Sequence, residues 1–326
     1  MTHAPILQVE SLSKRFPVRS GWRKPPLWVE AVRHVSFSLA RGETLGIIGE
    51  SGCGKTTLAR CILRLIEPDT GTIRLLGEDF RALQGRALRA FRRHMQMVFQ
   101  DPTRSLNPRM TVAACIAEPM RIHRIPARQI RARVAALLEQ VGLPASLLHR
   151  YPDELSGGQR QRVAIARALA LDPEVVVCDE VTAALDPSVQ AQILNLLLDI
   201  QDQRKVSYIF IGHQLSVVRH ISHRVAVMYM GEFVELAPAD HLTRDPLHPY
   251  TQILLDAEPV PDPARRSRPR KWPIGEVPSA IHRPSGCPFH PRCPIAEPVC
   301  REVVPTLVEH HPGHWVACHL VPPFSH

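Results

Sequence analysis

The reading of this chain turns on Thr44-Leu-Gly-Ile-Ile48 and the segment that follows it, Gly49-Glu-Ser-Gly-Cys-Gly-Lys-Thr56. The first segment is a short apolar strand. The second fits G-x-x-x-x-G-K-[ST] and leads into residues 55–65, which read as a helix. A glycine-rich turn between a strand and a helix start is built for phosphate. The glycines let backbone N–H groups close around it, and the helix N-terminus adds partial positive charge. Lys55 would reach the β- and γ-phosphates, and the Thr56 hydroxyl would bind Mg²⁺. A chance glycine-rich turn is the competing reading, and the Lys-Thr pair and the strand–helix context weigh against it.

Two further signals lie downstream. Val175-Val-Val-Cys-Asp179-Glu180 is an apolar strand that ends in two acids. At the edge of a sheet beside a phosphate loop, Asp179 would hold Mg²⁺ and Glu180 would polarise an attacking water. Leu155-Ser156-Gly157-Gly158-Gln159 opens an Arg-rich helix, with Ser156 as a good N-cap. It makes a second helix start suited to phosphate, although one nucleotide rarely needs two such sites in one chain. Taken alone, the acids read as a solvated strand end, and the glycines read equally as a flexible turn or a phosphate site.

The rest of the chain sets these signals in an α/β frame. Residues 6–16 and 31–39 alternate as strands do, with a polar, Pro-containing insert at 19–27, and residues 71–77 and 95–99 read as further strands. From about 104 to 151 the spacing becomes helical, with Ile130, Val134, Leu137, Leu138 and Val141 on a 3.6 period. Residues 189–201 read as a helix and 207–211 as a strand. Strands alternating with helices argue for a parallel sheet. The 326 residues suffice for one large or two smaller domains.

Composition excludes whole classes. At 44% hydrophobic and 22% charged residues the chain is neither disordered nor collagen-like. No apolar run reaches the roughly 18 residues of a membrane span. The first residues lack the apolar core of a signal peptide, so a cytoplasmic location is expected. The net charge of +9 would suit a solvated surface, nucleic acid or an anionic membrane face, and charge alone does not choose. The basic run Arg265, Arg266, Arg268, Arg270, Lys271 reads first as a solvated linker.

The last 89 residues differ, holding 18 of the 31 prolines, and read as a loop-rich appendage in need of a staple. Four of the eight cysteines, Cys287, Cys293, Cys300 and Cys318, crowd into it. A reducing cytosol disfavours disulfides, so a metal or cluster is the natural reading. The spacing x5, x6, x17 lacks the two close C-x2–4-C pairs usual for structural Zn²⁺, and four thiolates also suit a [4Fe–4S] cluster. Cluster, zinc and free thiols all stay open, with His290 and His319 as substitute ligands.

Motifs of this number and order resemble the ATP-binding subunits of ABC transporters. The resemblance rests on the phosphate loop, Leu155–Gln159, Val175–Glu180, Gln100 in VFQD, Ala184-Leu185-Asp186 and His213 in FIGH. It implies a P-loop NTPase (RecA-like) core with an antiparallel β subdomain and a helical insert at about 101–165, the whole spanning about 1–240. The ATP site would comprise Phe16, Gly49, Glu50, Ser51, Gly52, Cys53, Gly54, Lys55, Thr56, Thr57 and Gln100, with Phe16 on the adenine and Trp22 and Trp28 as weaker candidates. Mg²⁺ would lie on Thr56, Gln100 and Asp179, Glu180 would be the catalytic base, and His213 would contact the γ-phosphate. Ser156, Gly157, Gly158 and Gln159 would bind ATP held by a partner subunit, and Asp186 would report across that interface. Two positions depart from the pattern. Val181 stands where proline usually follows the catalytic glutamate, and Gln214 where aspartate usually follows the histidine.

The tail narrows the resemblance. His248-Pro-Tyr-Thr251, Gly275-Glu-Val-Pro-Ser279 and Pro284-Ser-Gly-Cys-Pro-Phe-His-Pro-Arg-Cys293 are similar to the C-terminal extension, here 241–326, of ATPases that energise oligopeptide, dipeptide and nickel importers. That resemblance implies a [4Fe–4S] cluster at the four cysteines. It also implies a second, paralogous ATPase chain, two permeases whose helix enters a groove lined by residues 101–120, and an extracytoplasmic solute-binding protein. The location would be the cytoplasmic face of the inner membrane. A soluble ABC ATPase acting on nucleic acid usually carries two cassettes or a long coiled-coil insert, and this chain shows one cassette and no such insert. A purely regulatory or redox module would leave six ATPase motifs unexplained.

Overall fold

The computed structural model describes residues 4–18, 27–183, 185–257, 275 and 278–321. Trp22, Ala184 and the basic run at 265–271 lie outside the described residues. In chain order the first half contains β1 (Leu7–Val18), β2 (Leu27–Leu39), β3 (Thr44–Ile48), α1 (Lys55–Ile62), β4 (Thr70–Leu75), β5 (Glu78–Asp79), α2 (Gly85–Phe91), β6 (Met95–Val98), α3 (Pro102–Ser105), α4 (Val112–Ile122) and α5 (Ala127–Gln140). The second half contains α6 (Gly157–Leu169), β7 (Val175–Asp179), α7 (Pro187–Arg204), β8 (Ser207–Ile211), α8 (Leu215–Ile221), β9 (Arg224–Tyr229), β10 (Glu232–Pro238), α9 (Ala239–Arg244), α10 (Pro249–Ala257), α11 (Val299–Glu302), β11 (Val308–His311) and β12 (His314–Val316).

Two compact units emerge from the contacts. The first is Met1–Gln8, Ser38–Thr44 and Ile73–Ile211, and the second is Val9–Phe37, Leu45–Thr72 and Gly212–His326. In the first unit β6, β7 and β8 form a parallel ladder, with Met95 opposite Val175 and Val175 opposite Ser207. Every residue of β7 and β8 is buried, as uninterrupted apolar runs in a parallel sheet require. The helices of this unit follow the predicted period. Ile130, Val134, Leu137 and Leu138 form the buried stripe of α5, and Val141 just beyond it is fully buried. Thr111 caps α4, its hydroxyl accepting from the Ala114 N–H at 3.3 Å. α4 and α5 pack on α6, whose Arg167 guanidinium donates to the Ser105 carbonyl.

In the second unit the strands run β11-β12-β10-β9-β3. β3 and β9 pair in parallel, Leu45 opposite Arg224 and Ile48 opposite Val227, while β9/β10, β10/β12 and β11/β12 are antiparallel. The tail expected to be loop-rich therefore adds strands to this sheet as well as three helices among the described residues. A buried carboxylate anchors it. Glu235 on β10 accepts from the Leu247 N–H at 2.8 Å and the His248 N–H at 3.0 Å, and it meets His314 Nε2 at 2.7 Å. Among the described residues, no helix is long and apolar enough to cross a membrane.

Candidate active site

The second unit carries the phosphate loop. β3 ends at Ile48 and α1 begins at Lys55, so residues 49–54 are the turn between them. Two glycines are required by close backbone approach. A Cβ at Gly49 (φ +154°) would lie 2.2 Å from the Met228 carbonyl oxygen, and one at Gly54 (φ +110°) 2.0 Å from that of Ala31. Lys55 is buried, and its ammonium donates to the carbonyls of Gly49 at 2.7 Å and Glu50 at 3.0 Å. Thr56 sits half-buried in the first turn of α1. Burial pushes the Cys53 thiol up, with Lys55 opposing it, so Cys53 packs as a neutral group.

The same unit holds His213 and Phe16. His213 is exposed, directly after Gly212, whose N–H donates to the Ile47 carbonyl at 3.1 Å. Phe16 is a half-buried residue of β1 with the Lys14 ammonium 5.5 Å from its ring centre, and Trp28 on β2 is exposed under the Arg15 guanidinium at 4.5 Å. Gln214 occupies the N-cap of α8 without a capping bond from its side chain.

The first unit carries the acids and the glycine-rich helix start. β7 delivers Asp179 at its end, 2% exposed. Glu180 follows in the left-handed region at φ +48°, with its N–H donating to the Ile211 carbonyl at 3.0 Å. Non-glycine residues seldom hold this conformation, and those that do concentrate at functional sites. Gln100, two residues past β6, donates from Nε2 to the Glu180 carboxylate at 2.7 Å. Val181, where proline was expected, is buried. Ser156 caps α6 in a reciprocal box. Its hydroxyl accepts from the Gln159 N–H at 3.3 Å, and the Gln159 side chain accepts from the Ser156 N–H at 2.9 Å. Gly157 and Ser156 are exposed, and a Cβ at Gly158 would lie 2.7 Å from Val189 Cγ1. Asp186 is the exposed N-cap of α7.

Two residues of the tail complete the phosphate loop and were not singled out in the sequence as part of it. The Arg292 guanidinium makes a two-pronged ion pair with the Glu50 carboxylate, at 2.8 and 2.9 Å. The Tyr250 hydroxyl accepts from the Glu50 N–H at 2.9 Å. The motifs containing them, HPYT and PRC, were legible, but their target was 200 or more residues away.

The four tail cysteines line one cavity with His248, Phe289, His290 and His319. Cys287 donates its backbone N–H to the Cys300 carbonyl at 2.8 Å. Among the described residues, no three His, Cys, Asp or Glu side chains are gathered as a site for a metal ion. Burial first, and then Cys300, Cys318 and Cys293, push the Cys287 thiol up to about 11. Beside them, His290 Nδ1 lies 3.0 Å from the Cys287 carbonyl oxygen and His319 Nε2 2.9 Å from that of Val303.

Comparison with known proteins matches these features to a family. Residues 32–183 match the ABC transporter family model, and residues 234–300 match the model of the oligopeptide/dipeptide transporter C-terminal region. A probable peptide ABC transporter ATP-binding protein of Sinorhizobium fredii is 53% identical over 98% of this chain and 90% of its own length. The oligopeptide transport ATP-binding protein AppF of Bacillus subtilis is 49% identical over 97% of each chain, and OppF of Escherichia coli is 46% identical over 98% of this chain and 97% of its own. Among solved structures, cbiO1 from Clostridium perfringens, part of the ABC transporter complex cbiONQ, superposes with TM-score 0.65 at 27% identity, covering 74% of this chain and 92% of that one. A dimer of the ATP-binding cassette MJ0796 bound to ADP and Pi gives 0.64 at 26% identity, covering 72% and 98%.

The chain belongs to the ABC transporter ATP-binding proteins, within their oligopeptide/dipeptide group. It is an ABC-type ATPase with a P-loop NTPase core, the component that supplies ATP hydrolysis to peptide transport.

Proposed function

We propose that this ATPase energises the import of oligopeptides or dipeptides through partner permeases, using a composite site shared by two ATPase subunits. The carrying observation is the Gln100–Glu180 pair at 2.7 Å, at the end of a buried strand, in a chain whose phosphate loop is complete. A carboxylate fixed by a neighbouring amide is oriented to accept a proton from water. Glu180 is accordingly the base and His213 the γ-phosphate contact. Gly49 to Thr57 cradle the phosphates, with Lys55 on the terminal ones and Phe16 against the adenine. Mg²⁺ belongs to Thr56, Gln100 and Asp179. It would neutralise charge on the β- and γ-phosphates.

Ser156 to Gln159 expose a capped helix start, and Asp186 an N-cap, on the surface of the first unit. These face the nucleotide of a second ATPase. The dimer of the similar cassette bound to ADP and Pi supports that reading. The second ATPase is a paralogous chain, as the resemblance to peptide importers implies. Two permeases and a solute-binding protein complete the assembly at the cytoplasmic membrane face, with residues 101–120 as the docking segment. Nucleic acid has no place in it.

Cys287, Cys293, Cys300 and Cys318 hold a [4Fe–4S] cluster with a structural role, and zinc is the alternative. The shared cavity and the four-thiol donor set support this reading. A nickel or other small-solute importer is the second reading of function, because the tail resembles that group as well. Vesicles containing the permeases, both ATPases and the binding protein should accumulate labelled peptide when ATP is supplied. Uptake of nickel and not of peptide would replace the first reading by the second.

A further inference from the structure

Glu50, the second residue of the phosphate loop, is held at three points. Its carboxylate lies in the fork of Arg292, its N–H on the Tyr250 hydroxyl, and its carbonyl accepts from Lys55 Nζ at 3.0 Å and from the Cys53 N–H at 3.3 Å. The third point differs in origin from the first two. Lys55 and Cys53 belong to the loop itself, while Arg292 and Tyr250 come from the C-terminal extension. Arg292 is only 5% exposed in its side chain, and its guanidinium carbon lies 5.9 Å from the ring centres of both Tyr229 and Phe289. Tyr229, Tyr250 and Phe289 contact one another at 4.6 to 5.3 Å, a packed aromatic wall behind the loop. The buried Arg292 Nε has no hydrogen-bond partner, a cost accepted at a site whose outer two nitrogens are committed to Glu50.

We infer that Arg292 and Tyr250 are positioning residues for the nucleotide site. They fix the phosphate loop and neutralise Glu50, so the extension is a working part of ATP binding. Arg292 immediately precedes Cys293, so the segment that carries two of the four thiols also carries the clamp. Without Arg292, a bare carboxylate would stand in a loop that must receive a polyanion, and like charges there oppose binding. The inference rests on ATP binding at this loop, which the Lys55→Ala variant checks independently.

The test is equilibrium binding of a fluorescent ATP analogue with Mg²⁺ to the full chain, with ATP as competitor. Unfolding temperature and thiol accessibility serve as controls of the fold. Arg292→Met should weaken binding about ten-fold or more, as loss of one partner of a buried pair does. Arg292→Lys should fall between, since it keeps the charge and loses the fork. Tyr250→Phe should weaken binding modestly. The decisive variant is Glu50→Gln in the Arg292→Met background, which removes the stranded charge and should restore most of the affinity. A purely structural role for Arg292 gives no such rescue. Wild-type affinity in Arg292→Met, or a defect that Glu50→Gln leaves untouched, overturns the inference. If Arg292→Met does not fold, wild-type affinity in Arg292→Lys does the same. Failure of the unmodified chain to bind ATP would instead strike the ATP-site reading.

Discussion

Glu180 holds a left-handed backbone conformation and accepts a hydrogen bond from Gln100 at 2.7 Å. Its identity as an acid at a strand end was legible in the sequence. Its strain and its partner were not, because both are imposed by residues 80 and 31 positions away, Gln100 and Ile211. Glu180→Gln keeps the shape and removes the proposed base. It should leave ATP binding intact, cut hydrolysis about 10²-fold or more, and trap a closed dimer, as measured by single-turnover kinetics and sizing with ATP. Lys55→Ala should weaken nucleotide binding itself, read by direct titration. The glycines at 49 and 54 show the opposite case. The motif named them, and the structure gives the reason as carbonyl oxygens 2.2 and 2.0 Å from any Cβ.

Elements were legible where a local rule governs them. The period of α5, the capping serine of α6 and the apolar run of β7 each form the element that the sequence predicted. At α6, Gly158 packs against α7 with no room for a side chain. Gly158→Val should destabilise the protein by about 1–3 kcal/mol through overpacking. Val189→Ala should recover part of that loss in urea unfolding. The tail shows what local rules miss. β12 is three residues long and pairs with β10, so its partner lies some 80 residues back, and proline density hid it. Glu235 anchors that pairing from full burial. Glu235→Ala would strand the Leu247 and His248 N–H groups and His314. It should cost about 3–5 kcal/mol. Hydrogen exchange should show it first at the amides of residues 247 and 248.

At the scale of the whole molecule, the reach of the extension to the phosphate loop was not legible in the sequence. Linear spacing contains no signal for an ion pair closed over 242 residues. The cysteine-rich segment belongs to the same packed body as that loop, within the second unit. With the proposed [4Fe–4S] cluster at the four cysteines, protein purified without oxygen should be brown, with about four irons per chain. Cys293→Ser should bleach it. One zinc and no iron in metal analysis would move the assignment to zinc.

With Glu180 as the proposed base, ATP hydrolysis there is the source of energy for peptide transport. The most direct measurement is peptide-stimulated ATP hydrolysis by the assembled transporter in vesicles, with this chain as wild type or Glu180→Gln. Binding protein loaded with peptide should raise the rate, and Glu180→Gln should remove most of that stimulated rate while ATP still binds. Stimulated hydrolysis at the wild-type rate in Glu180→Gln would contradict it.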